Sequence, residues 1–156
     1  EIYGGGTTSR LYQSLVVDKS LAVAAGSWYR AESIGPSVFG FYASPQEGVS
    51  VELLEKSIDR EIRQVLKDGV TKEEVRAAIT RLQRTAIFAK DSVTAPARII
   101  GSALASGRSV RDIEDWPNKV SEVVKDDVIA AAEWVFRINR SVTATLLPTS
   151  GTQRKP

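Results

Sequence analysis

Residues 22–30, AVAAGSWYR, and residues 38–44, VFGFYAS, decide the fold. Both are short runs rich in β-formers and aromatics, with Val23, Trp28 and Tyr29 in the first and Val38, Phe39, Phe41 and Tyr42 in the second. Between them stands Ile34-Gly35-Pro36-Ser37, a turn signal in which proline presets φ and glycine tolerates unusual backbone angles. The two runs, Ala22 to Arg30 and Val38 to Ser44, are therefore expected to pair antiparallel.

Outward from this pair the pattern is mainly helical. On the N-terminal side, Gly4-Gly5-Gly6-Thr7-Thr8-Ser9 is a flexible turn ending in three residues able to cap a helix. Leu11, Leu15 and Val16 then predict a helix to about Lys19. On the C-terminal side, Val51, Leu54, Ile58, Ile62 and Val65 recur at helical spacing behind Ser50, a good N-cap. Lys67-Asp68-Gly69 ends that helix, and Thr71-Lys72-Glu73-Glu74 opens the next with a capping box. This third helix carries Val75, Ala78, Ile79, Leu82 and Ala86 on one side. Ala95-Pro96 marks a restart, because proline suits a first helical turn and disrupts an interior one, and Gly107 ends the new piece. Ser109 to Asp115 reads as a short helix stopped at Trp116-Pro117. Asp126-Asp127 begins the last helix, with Val128, Ala131, Ala132, Val135 and Phe136 on its stripe. Ser141 to Leu147 alternates like a final strand. Helix, two strands, several helices and one strand define an α+β fold: an antiparallel sheet with helices packed on one face. Residues 1–148 read as one domain and residues 149–156 as a polar tail.

Composition narrows the chemistry. The 156 residues include no His, no Cys and no Met. No imidazole base, thiol nucleophile, His-ligated metal or disulfide can be built from them. The missing methionine is the expected mark of a processed, trimmed or longer polypeptide. With 21 Lys plus Arg against 19 Asp plus Glu the net charge is +2, and no nucleic-acid partner is expected. The one-sided run Arg76, Arg81, Arg84 and Lys90 reads as a solvated helix face. No apolar run approaches the roughly 20 residues of a membrane span.

The glycine-rich opening could in principle cradle a phosphate above a helix start. Gly4 to Ser9 nevertheless lacks the Walker spacing and follows no strand, so the favoured reading is a turn leading into a helix. The carboxylate pairs Glu73-Glu74 and Asp126-Asp127 fall at helix starts, where capping explains them better than acid/base catalysis. No EF-hand spacing is present. Trp28, Trp116 and Trp134 read as core or interface anchors. No catalytic, metal or substrate-binding residue is assigned from these patterns.

In order along the chain, GGGTTSRLY (4–12), LAVAAG (21–26), FYASP (41–45), KDGVTKEE (67–74), ARIIG (97–101), Trp116-Pro117 and Ser141-Val142-Thr143 resemble segments of the M16 zinc peptidases. That family includes pitrilysin, insulin-degrading enzyme and mitochondrial processing peptidase. The resemblance covers nearly the whole chain. It implies paired α+β domains, two pairs of which enclose a chamber where unfolded peptides are cut. It further implies zinc held by an inverted His-x-x-Glu-His motif and a distal Glu in the first domain. A chain without histidine is not that domain. It resembles the C-terminal, non-zinc-binding domain of a bacterial member, lacking that domain's first strand and helix.

By the same resemblance, this chain carries no cofactor and zinc sits in the upstream domain of the parent protein. The implied partners are that upstream domain, a second M16 half as homo- or heterodimer, and peptide substrates. The implied location is periplasmic or secreted. The partner half of such enzymes places an Arg and, seven positions on, a Tyr after the glycine loop, where they stabilise the scissile carbonyl. The matching positions here are Val16 and Val23, which donate no side-chain hydrogen bond. The expected role is a scaffold: a wall of the chamber and a docking surface. The alternative is a non-catalytic structural subunit of the same fold.

Overall fold

The computed structural model describes residues 1–147. Residues 1–9 form a looped lead-in to a short helix, whose first turn, α1 (Arg10–Tyr12), is α-helical and whose remainder, Gln13–Asp18, widens to a π-helix. The two strands follow as β1 (Ala22–Tyr29) and β2 (Phe39–Pro45), paired antiparallel from Ala22 opposite Pro45 to Tyr29 opposite Phe39. An irregularity between Ala22 and Ala24 leaves Val23 without an opposite residue. The remaining elements are helices: α2 (Val51–Asp68), α3 (Lys72–Lys90), α4 (Ala95–Ala105), α5 (Val110–Glu114), α6 (Trp116–Ser121) and α7 (Lys125–Val135). A 3₁₀ turn, Ile138–Arg140, ends the regular structure.

The core lies between the sheet and α1, the π-helix and α2. Leu11 and Leu15 are fully buried and pack with Tyr3, Ala22, Ala25, Leu54 and Val65. Ile58 and Ile62 of the predicted α2 stripe close over this cluster, as does Phe41 from β2. Phe136, at the end of α7, adds an aromatic contact with Tyr3, Phe39 and Phe41, at centroid distances of 5.6, 5.4 and 5.5 Å.

Tyr3 brings its hydroxyl into this apolar cluster with no hydrogen-bond partner, and burial pushes its pKa up. An unpaired buried hydroxyl opposes folding by about 1–3 kcal/mol. Tyr3→Phe is therefore expected to raise stability by about 1 kcal/mol in chemical denaturation, and a loss of that size would show that the hydroxyl is satisfied.

The caps follow local chemistry. Ser50 Oγ accepts from the Leu53 amide at 3.2 Å. Thr71 and Glu74 form the predicted capping box, at 3.1 and 2.7 Å. Gly69 closes α2 at φ 69°, and its amide donates to the Val65 carbonyl. Pro96 sits in the first turn of α4 and Gly107, at φ 82°, follows its end, both as expected.

Three expectations need correction and one helix is added. α5 ends before Trp116-Pro117 as expected, but a further helix, α6, starts there, with Pro117 in its first turn, where its missing amide is harmless. Ser141 to Leu147 forms no strand; the described sheet has two strands, and the segment has no ladder partner within it. Ser9 does not cap with its side chain but donates its Oγ hydrogen to the Gly6 carbonyl at 2.6 Å. The face of α7 that packs includes Ile129, which lies against Gly69, whereas Ala131 and Val135 are exposed. The predicted tail, 149–156, lies outside the described residues. No described helix is long and apolar enough to cross a membrane.

Candidate functional site

The glycine loop is a clasp. A Cβ on Gly4 would lie 2.4 Å from the backbone nitrogen of Ser27, because the Gly4 carbonyl accepts that amide's hydrogen bond at 2.9 Å on the outer edge of β1. The Gly5, Ser9, Arg10 and Leu11 amides donate to the carbonyls of Glu1, Gly6, Ile2 and Tyr3. Within the loop the Gly5 and Ser9 amides are committed in this way and do not point at an anion, which favours the turn-into-helix reading of Gly4 to Ser9.

Arg10, just past the loop, is the side chain that sequence reasoning missed. Its Nε and Nη2 donate to the two carboxylate oxygens of Glu74 at 2.6 and 2.7 Å, the bidentate geometry in which such pairs are strongest. Glu74 simultaneously accepts the Thr71 amide, so one carboxylate ties α1 to the start of α3. The Arg10 guanidinium holds the Glu74 carboxyl below its usual range, assisted by Thr71 against the opposing effect of burial.

A carboxyl depressed on folding stabilises at pH values above its unfolded pKa, about 4.3. That contribution is lost as pH falls through the lower folded value. Glu74→Ala is expected to cost about 2 kcal/mol at neutral pH, and the gap should close in acid. An undiminished gap at low pH would sink this assignment.

A second tie joins the π-helix to α2. Glu61 accepts from Ser14 Oγ at 2.7 Å and from Lys19 Nζ at 2.6 Å. Burial pushes the Glu61 carboxyl up, yet these two donors outweigh it and hold it low. The intervening groove is lined by Arg10, Gln13, Asp18, Gln64 and Asp68. Among the solvated cations predicted on α3, Arg76 and Arg84 are exposed and Arg81 reaches Glu1 at 3.3 Å.

The opposite face of the sheet is open. Trp28 and Tyr42 project there and are each about half exposed. Each aromatic ring lies over a glycine of the neighbouring strand, Trp28 over Gly40 and Tyr42 over Gly26. A Cβ at either glycine would fall 2.3 or 2.6 Å from the ring or its hydroxyl. The tryptophans are therefore not core: Trp28 and Trp134 are exposed and Trp116 is half-buried. Val16 packs partly buried against the core cluster, and Val23 stands exposed at the strand irregularity. Neither position offers a donor to a reacting carbonyl.

No group of three His, Cys, Asp or Glu side chains able to hold a metal comes together among the described residues. With no histidine in the chain, the residues present do not fit a zinc site of nitrogen and carboxylate ligands. What the described residues present is an α+β domain with one covered and one open sheet face.

The family model of the peptidase M16 inactive domain matches residues 1–82, and the chain belongs to that family. A zinc protease of Rickettsia felis is 31% identical over 135 residues, spanning 86% of this chain and 32% of its own length. One from Streptomyces coelicolor is 27% identical over 133 residues, 85% of this chain and 28% of its own length. The chain thus spans about a third of the length of the curated relatives it matches. Among solved structures, an inactive peptidase domain from Bordetella parapertussis superposes with a TM-score of 0.84 at 21% identity, covering 99% of this chain and 81% of that one. A protease from Helicobacter pylori gives 0.79 at 21% identity, covering 87% of this chain and 32% of that one. The fold expectation is thereby met, and zinc does not belong to this domain.

Proposed function

We propose that this chain works as the C-terminal scaffold domain of a zinc-dependent M16 peptidase, whose upstream domain holds the metal and cuts peptides. The supporting observation is the match to the inactive domain within relatives that carry the name zinc protease and are about three times as long. In this reading the α-helices brace the sheet from outside, and the open face with Trp28 and Tyr42 forms part of a chamber wall. The outer edge of β2 offers main-chain groups to an extended peptide, a mode of recognition tolerant of side-chain sequence. The valines at 16 and 23 leave carbonyl activation to another polypeptide, which is the docking half of the pair.

The test compares the parent protein with and without residues 1–156. Cleavage of an unstructured peptide should be lost on omission and return when the separate chain is added. Undiminished cleavage by the shortened parent would overturn the scaffold role. A parent with a degraded His-x-x-Glu-His motif and no cleavage in either form would instead favour the structural-subunit reading, for which Val16 and Val23 are equally suited.

A further inference from the structure

Past the end of α7 the surface changes character. Trp134 keeps 63% of its surface in water. The Arg137 guanidinium lies 4.6 Å from its ring centroid and that of Arg140 lies 5.6 Å from it. Arg137 Nε also donates to the Glu133 carbonyl at 3.3 Å, which fixes the stacked side chain. Among the described residues, neither arginine has a carboxylate within ion-pair distance, whereas Glu1, Glu61, Glu74, Asp112 and Asp115 are paired with other cations. Ile138 follows Arg137 in sequence and Val142 lies two positions past Arg140; they are 82% and 96% exposed.

Tryptophan and arginine are the side chains most enriched where protein interfaces concentrate their energy. A guanidinium already stacked on indole loses little freedom when it takes a carboxylate, and it presents a planar fork that matches one. The apolar side chains next to it call for an apolar anchor on the ligand. We infer that Trp134, Arg137 and Arg140, with Ile138 and Val142, form a docking surface for an acidic segment of a partner protein that carries an apolar side chain between its carboxylates. The charge complementarity is local: two unpaired cations on one exposed ring, in a chain whose net charge is only +2. This surface lies outside the chamber-wall reading and does not depend on it.

The probe is a synthetic ten-residue glutamate peptide with a central phenylalanine, titrated into the 156-residue chain. Binding is followed by fluorescence anisotropy of a dye on the peptide. Saturable binding that weakens with salt is expected, and Arg137→Ala with Arg140→Ala should weaken it by about tenfold, as loss of two exposed charge pairs implies. Arg137→Lys with Arg140→Lys, which keeps the charge but loses the planar stack, should fall between. Trp134→Ala should weaken binding by a similar factor, with circular dichroism unchanged. Equal affinity of the double-alanine variant and the parent chain overturns the inference. So does binding of a single-stranded oligonucleotide as tight as that of the peptide, which would mark the patch as a general anion surface.

Discussion

Replacing Gly4 with alanine is expected to destabilise the domain by about 3 kcal/mol, equivalent to a fall of roughly 10 °C in Tm. The added methyl would stand 2.4 Å from the Ser27 backbone nitrogen and 2.7 Å from its Cβ. Backbone held in a strand cannot retreat as a flexible side chain can. The loop must lift off β1, and the Ser27-to-Gly4 hydrogen bond is lost with it. Gly101, inside α4 with nothing within 4 Å, is the matched control. Gly101→Ala should gain up to about 1 kcal/mol, since alanine is the better helix former. Equal effects at the two positions would show that the loop does not clasp the strand as described.

Leu15→Ala is the second large effect, expected at about 3 kcal/mol with no change in the slope of the denaturant transition. Leu15 has no exposed surface and sits in the π-helix, among Leu11, Ala22, Leu54 and Val65. Truncation removes the transfer energy of the side chain and leaves a cavity that a strand on one side and α2 on the other can only partly close. Leu53, on α2 but 46% exposed, provides the comparison. Its truncation should cost under about 1 kcal/mol, and a larger loss there than at Leu15 would contradict the placement of the core.

What the sequence disclosed was what neighbours in sequence decide. Ser50, Thr71 with Glu74, Gly69 and Gly107 act within one helical turn, and each behaves in three dimensions as its chemistry demands. The two strands were legible because a turn lies between them. Ser141 to Leu147 has the same alternation, but a strand also needs a neighbour, which no local pattern supplies. Trp116-Pro117 marked the end of α5 but not the start of α6, because proline ends one helix and starts another with equal ease, and only the following residues show which.

At the candidate site the split is similar. The absence of histidine and the two valines could be read directly from the chain. The Arg10–Glu74 pair spans 64 positions, and the commitment of the Gly5 and Ser9 amides to nearby carbonyls is a matter of folded geometry. Neither leaves a periodic trace. The open sheet face with Trp28 and Tyr42 over glycines was hidden for the opposite reason: aromatic strand residues ordinarily signal core, and here two of the five cover a neighbouring glycine on the exposed side.

The central claim is that this domain serves a zinc peptidase without holding its zinc or performing its cleavage. The most direct measurement takes the 156-residue chain alone, dialysed against zinc, through elemental analysis and incubation with an unstructured peptide. The predicted result is far less than one zinc per chain and an intact peptide. One zinc per chain, together with cleavage that a chelator abolishes, would contradict it.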